Sequence, residues 1–184
     1  VYKRQLMAIL MPALKRAREQ GQRAVCLSNL KQLQLAWIVY ADDNDDRLPS
    51  SEAGNYCVDQ FGQPWLGVVW ATNWRQGEHL PEAKQIEGIK AGTMWPYVNE
   101  IDLYKCPTGY RGELVTYAMM ISINGRQVDN ASPQFFKRIK IPQPAQRLIF
   151  IDEGLAKLYQ SFLDLAVDRA AALGTAATAS LLRV

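Results

Sequence analysis

An α+β fold, with one long N-terminal α-helix packed on a small antiparallel β-sheet, is predicted by three observations. Residues 6–40 carry a helical pattern; residues 47–100 are broken repeatedly by Pro and Gly and are rich in Trp; two apolar runs, 114–123 and 147–152, come late and are bounded by turn-formers. A helix and a sheet each need to bury one face, and packing one on the other satisfies both. With 184 residues, 48% hydrophobic and 10% aromatic, the chain can bury a real core.

The first forty residues form three zones. Leu6 to Met11, with Ala13 and Leu14 beyond Pro12, leave no polar face, and a helix apolar on every side belongs in a core or a bilayer. Lys15 to Arg23 is basic. Cys26, Leu30, Leu33, Trp37 and Tyr40 then recur at spacings of four, three, four and three, which lines one face for packing on a domain. A continuous helix over 6–40 extends about 52 Å, so part of it must project. Pro12 removes a backbone hydrogen bond and predicts a kink; in the alternative reading the helix starts at Pro12, a position where proline is tolerated. The apolar run covers about nine residues against the roughly 20 that span a bilayer. No small-residue cleavage site follows Val1 to Gln5, so the segment reads as a truncated start rather than a complete secretory signal.

The net charge is only +3, yet residues 1–31 hold seven Lys or Arg against the single acid Glu19. Such a segment reads first as a solvated helix face and second as a contact for anionic lipid or nucleic acid; no specific nucleic-acid recognition is implied.

Asp42-Asp43-Asn44-Asp45-Asp46 ends the helix. Asp42, Asn44 and Asp46 match the first half of an EF-hand loop, a weak calcium signal. The second half is missing, because Arg47 stands where the glycine should turn the chain and Ala53 where the closing glutamate belongs. A solvated cap and turn is the competing reading. In the loop-rich middle, Trp65, Trp70, Trp74 and Trp95 read as core aromatics before they read as a stacking platform for glycan or peptide. A short helix is expected within Ile86–Val98 and a short strand at Tyr104-Lys105-Cys106. Leu114–Ile123 is the clearest strand, followed by the turn signal Asn124-Gly125. Arg147–Asp152 is the second, entered through Pro142 and Pro144.

Cys26, Cys57 and Cys106 show no zinc-type spacing. Cys26 lies on the domain-facing stripe and Cys106 after a short strand, so a disulfide between them would tether helix to sheet in an oxidising compartment. Three reduced buried thiols are the other reading, and Cys57 is unpaired in either. No cofactor is expected beyond the weak calcium signal, and no catalysis. The only histidine, His79, sits in a loop without a nucleophile motif beside it, where a solvent-facing role is expected. Asp152-Glu153 is an acid pair of the kind most domains contain by chance.

Several segments, in order, carry a resemblance: Leu6 to Glu19; Cys26-Leu27-Ser28-Asn29-Leu30-Lys31-Gln32-Leu33; Tyr40 to Asp45; Met94-Trp95-Pro96-Tyr97-Val98; Leu103-Tyr104-Lys105-Cys106-Pro107; and Leu148 to Gly154. Together they resemble pilin-like proteins whose precursors carry a prepilin-type cleavage and methylation signal, and most of all the major pseudopilin-like proteins of type II secretion systems. The leader, the processing-site glycine, the methylated aromatic and the following glutamate of that family have no counterpart here, which marks the chain as N-terminally truncated. The resemblance implies a non-catalytic subunit that assembles through Leu6, Ile9, Leu10, Pro12 and Leu14 into a periplasmic filament. Its implied partners are further copies or other pseudopilins, the inner membrane through a single N-terminal span, and a prepilin peptidase acting on the precursor. Three regions follow: an exposed helix over 1–25, a pilin-like globular domain over 26–155, and an Ala-rich tail over 156–184 that departs from the family. The alternative is a membrane-tethered periplasmic binding module that uses Trp65, Trp70 and Trp74 to hold glycan or exported protein.

Overall fold

The computed structural model describes residues 2–54, 62–71, 78–120, 122–125, 134–144 and 147–152, with only the backbone described for 2–6, 8 and 9. Cys57, Trp74, Glu153 and the 156–184 tail lie outside these residues.

The architecture is mixed α+β. Helix α1, Tyr2–Asp43, runs for 42 residues with Pro12 inside it, which is roughly 63 Å of rise. The helix therefore begins well before Pro12, and the alternative start at that proline is not what forms. Strands β1, Ser50–Ala53, and β2, Pro64–Leu66, follow. Helices α2, Glu82–Ala91, and α3, Trp95–Val98, come next, then a 3-10 helix at Ile101–Tyr104. Strand β3, Tyr117–Met119, a 3-10 turn at Arg138–Lys140, and strand β4, Phe150–Asp152, complete the described elements.

In place of the expected single antiparallel sheet, the described residues form two two-stranded ladders. β1 and β2 pair in parallel, Ser50 with Pro64 and Ala53 with Leu66, across an irregular register. β3 and β4 pair antiparallel, Tyr117 with Asp152, Ala118 with Ile151 and Met119 with Phe150. Side chains and turns take up the backbone groups that a wider sheet would have used. The Leu114 N–H donates to Gln85 Oε1 at 2.8 Å, and the Thr116 N–H donates to the Tyr104 carbonyl at 3.0 Å. Among the described residues of the predicted Leu114–Ile123 strand, three form β3 and Ile123 makes an isolated bridge to Phe135, although Val115 to Met120, Ser122 and Ile123 are all buried. The expected strand at Tyr104–Cys106 is likewise replaced by the end of the 3-10 helix at Tyr104 and an extended Lys105. Within 86–98 two helices form rather than one. The break falls at Gly92, where a Cβ would collide with the Trp65 carbonyl.

The core lies between the C-terminal half of α1 and the ladders. Leu30, Leu33, Ala36, Trp37 and Ala41 are buried, with Cys26 and Tyr40 packed at the margin. The stripe read from the sequence is therefore the face α1 turns to α3, the 3-10 helix and β4. Trp65 is 0% exposed, with Phe150 and Tyr104 rings at 5.5 and 6.2 Å. Full burial of a large apolar side chain stabilises by about 1.5–3 kcal/mol, so Leu33 and Trp37 anchor the helix to the domain, whose own core holds Trp65.

Candidate functional site

The long helix has two faces with different surroundings. The inner face is stitched to the domain by polar as well as apolar contacts. Asn29, buried on α1, donates from Nδ2 to the carbonyls of Asp102 at 3.2 Å and Lys105 at 3.0 Å. These carbonyls flank the strand-like approach to Cys106, whose own N–H donates to Thr116 Oγ1 at 2.7 Å. Held from both sides, Cys106 meets Cys26 one helical turn before Asn29 and the two form a disulfide, with Cα atoms 5.1 Å apart. It closes a loop across 80 residues, worth about 4.5 kcal/mol in the chain-entropy account. Asp152, at the end of β4, places a carboxylate oxygen within 4.8 Å of both sulfurs. Burial, with the Asp152 charge added, raises the pKa of the neighbouring Tyr117 phenol.

The acidic run at the helix end is also engaged. Asp45 and Asp46 both take positive φ, 54° and 65°, a conformation in which Asp is among the better-tolerated side chains. Arg138 lies across them. Its guanidinium reaches Asp42 at 2.6 Å and Asp46 at 3.0 Å, and donates to the Ile38 carbonyl at 3.4 Å. Carboxylates at a helix C-terminus oppose the helix dipole, and the Arg138 cation offsets that repulsion. Asn44, the third weak calcium candidate, donates from Nδ2 to the Tyr40 carbonyl at 2.8 Å. Asp42 and Asp46 therefore have an arginine as their cation, and Asn44 serves as a cap.

The outer face is bare. Met7, Leu10, Leu14, Ala17, Gly21, Val25, Ser28, Gln32, Leu35 and Val39 follow one another at three or four residues, and every one is exposed. That spacing keeps them within one stripe along the helix. None is charged; Lys15, Arg16 and Arg23 lie on other faces of the helix, while Arg18 and Lys31 border the stripe. Met11, beside the stripe, is 70% exposed. Of the assembly residues expected from the sequence, Leu10 and Leu14 lie on this stripe. Leu6 and Ile9 belong to the same helix, but their side chains are outside the described residues, and Pro12 falls on another face. The sequence reading found the inner face by its large side chains; the outer stripe was missed because Ala17, Gly21 and Ser28 give no apolar signal. Its signal was the absence of charge at helical spacing.

Other candidates separate from this helix. Trp65 is core and offers no ring to a ligand; Trp70 is partly buried and packs against the core. His79 is not simply solvent-facing as expected. Its Nδ1 lies 2.5 Å from Glu113 Oε1, and its ring stacks on Tyr110 at 5.4 Å. Buried Gln85 donates to the Leu80 and Gly112 carbonyls at 2.8 and 2.7 Å, so this group ties the 110–114 turn to α2. No helix among the described residues is long and apolar enough to cross a membrane. No family model, curated protein or solved structure matches the chain.

Proposed function

We propose that the protein is a non-catalytic, pilin-like structural subunit that assembles through α1 into a filament of the type II secretion or pilus kind. The observation that carries this reading is the uncharged, exposed stripe running from Met7 to Val39 on the side of α1 away from the domain. A projecting helix with a charge-free seam at spacings of three and four residues suits helix-against-helix packing. Gly21, with nothing near its Cβ position, allows close approach of a second backbone. The resemblance of Leu6–Glu19 and Cys26–Leu33 to pseudopilin-like sequences supports the same reading. With it come the proposed setting, a periplasmic domain on an inner-membrane anchor, and the proposed prepilin peptidase partner. A binding module based on tryptophans is less favoured, since Trp65 is consumed by the core.

Photo-crosslinking residues placed singly at Leu14, Gly21 and Ser28, and in parallel at Arg16 and Arg23, test the proposal in the purified chain. Copy-to-copy products from the first three positions and far fewer from the other two are expected. Equal yields from both sets, or none from the stripe, would refute it.

A further inference from the structure

We infer that Cys26, Cys106 and Asp152 form a metal site for a zinc-type divalent cation when the disulfide is reduced, so that either a covalent bond or a metal ion can tether α1 to the domain. The three residues come from three separate parts of the fold, α1, the segment after the 3-10 helix and β4, and their ligand atoms all lie within 4.8 Å of one another. Two thiolates and a carboxylate are a donor set that zinc accepts, with metal–sulfur bonds near 2.3 Å that set ligand atoms about 3.8 Å apart in a tetrahedron. The sulfurs must open from bonding distance to that separation and the Asp152 oxygen must close by at most about 1 Å. Both are side-chain movements. The backbone at Cys106 is anchored independently of the sulfur, by its own N–H donating to Thr116 Oγ1 and by Asn29 Nδ2 donating to the preceding Lys105 carbonyl. Thr108 Oγ1, 3.1 Å from Cys106 Sγ, is placed to donate to the thiolate, the outer support that metal ligands commonly have. Cys26 and Asp152 are partly exposed, which gives an ion and a reductant a way in.

The chemistry balances with a dithiol as reductant. The dithiol passes two electrons and two protons to the disulfide and leaves as its own cyclic disulfide, while the Cys26–Cys106 bond breaks to two thiols. The metal cation then displaces both thiol protons to water, forms two metal–sulfur bonds and one bond to Asp152, and takes a water in the fourth position. Disulfide and metal are mutually exclusive at this site. The inference is independent of filament assembly, because it concerns the inner face of α1 and not the outer stripe.

The test uses the full chain carrying Cys57→Ser, which removes the third thiol. After dithiol reduction and removal of excess reductant under anaerobic conditions, cobalt(II) is titrated and the thiolate-to-cobalt absorption followed, then zinc is added in competition. One cobalt per chain is expected, displaced by zinc, with affinity at least tenfold weaker in Asp152→Asn. Because the reduced chain is less stable, zinc should also raise its melting temperature, and raise that of reduced Asp152→Asn much less. Absence of the thiolate band, equal affinity in Asp152→Asn, or a melting temperature that zinc leaves unchanged would each overturn the inference.

Discussion

The inner and outer faces of α1 belong to the same helix and are both largely uncharged, yet they are built in opposite ways. The inner face carries large groups, Leu33 and Trp37, and fixes them with Asn29 and the Cys26–Cys106 bond. The outer face alternates medium and very small residues, from Leu10 and Leu14 through Ala17 and Gly21 to Leu35 and Val39, and stays exposed along its length. Large side chains suit a helix that must fit one irregular core. Small ones suit a surface that another rod can approach along its length. The difference teaches that absence of charge, not presence of bulk, marks the second face.

Changes to the inner face should break the fold and changes to the outer face should not. The largest effect is expected from Cys26→Ser, which removes the cross-link and should lower unfolding stability by about 4 kcal/mol, measured by denaturant titration under oxidising conditions. Leu33→Ala, at a fully buried position, should cost about 3 kcal/mol through lost burial and the cavity left behind, read in the same titration with an unchanged slope. Arg138→Ala should cost only about 1 kcal/mol, because its ion pairs with Asp42 and Asp46 are partly exposed and screened by salt. The loss should shrink as salt is added to the melting experiment.

The legibility of this chain follows the same contrast. Helix α1 and its inner stripe were readable because a 3.6-residue repeat is local, and so was the late strand at Phe150–Asp152. Strand length at 114–123 was not readable, since a continuously buried apolar run looks alike whether its backbone bonds go to a neighbouring strand or to Gln85 and Tyr104. The Arg138 clasp on Asp42 and Asp46 and the His79–Glu113 pair were hidden for a simpler reason. They join residues 96, 92 and 34 positions apart, and no local pattern records such a meeting. The meeting of Cys26 and Cys106 was open to sequence reasoning because cysteines are few, whereas the approach of Asp152 to both sulfurs was not.

The account turns on the outer stripe being an assembly surface that the fold does not need. Sedimentation velocity of the full chain over a range of concentrations, beside the double variant Leu14→Lys, Val25→Lys, tests this directly. The account predicts concentration-dependent association of the parent chain, a monomeric variant, and melting temperatures that agree closely, since exposed helix substitutions change stability by roughly 0.5 kcal/mol or less. A parent chain that stays monomeric at every concentration, or a variant that associates equally well, would contradict it.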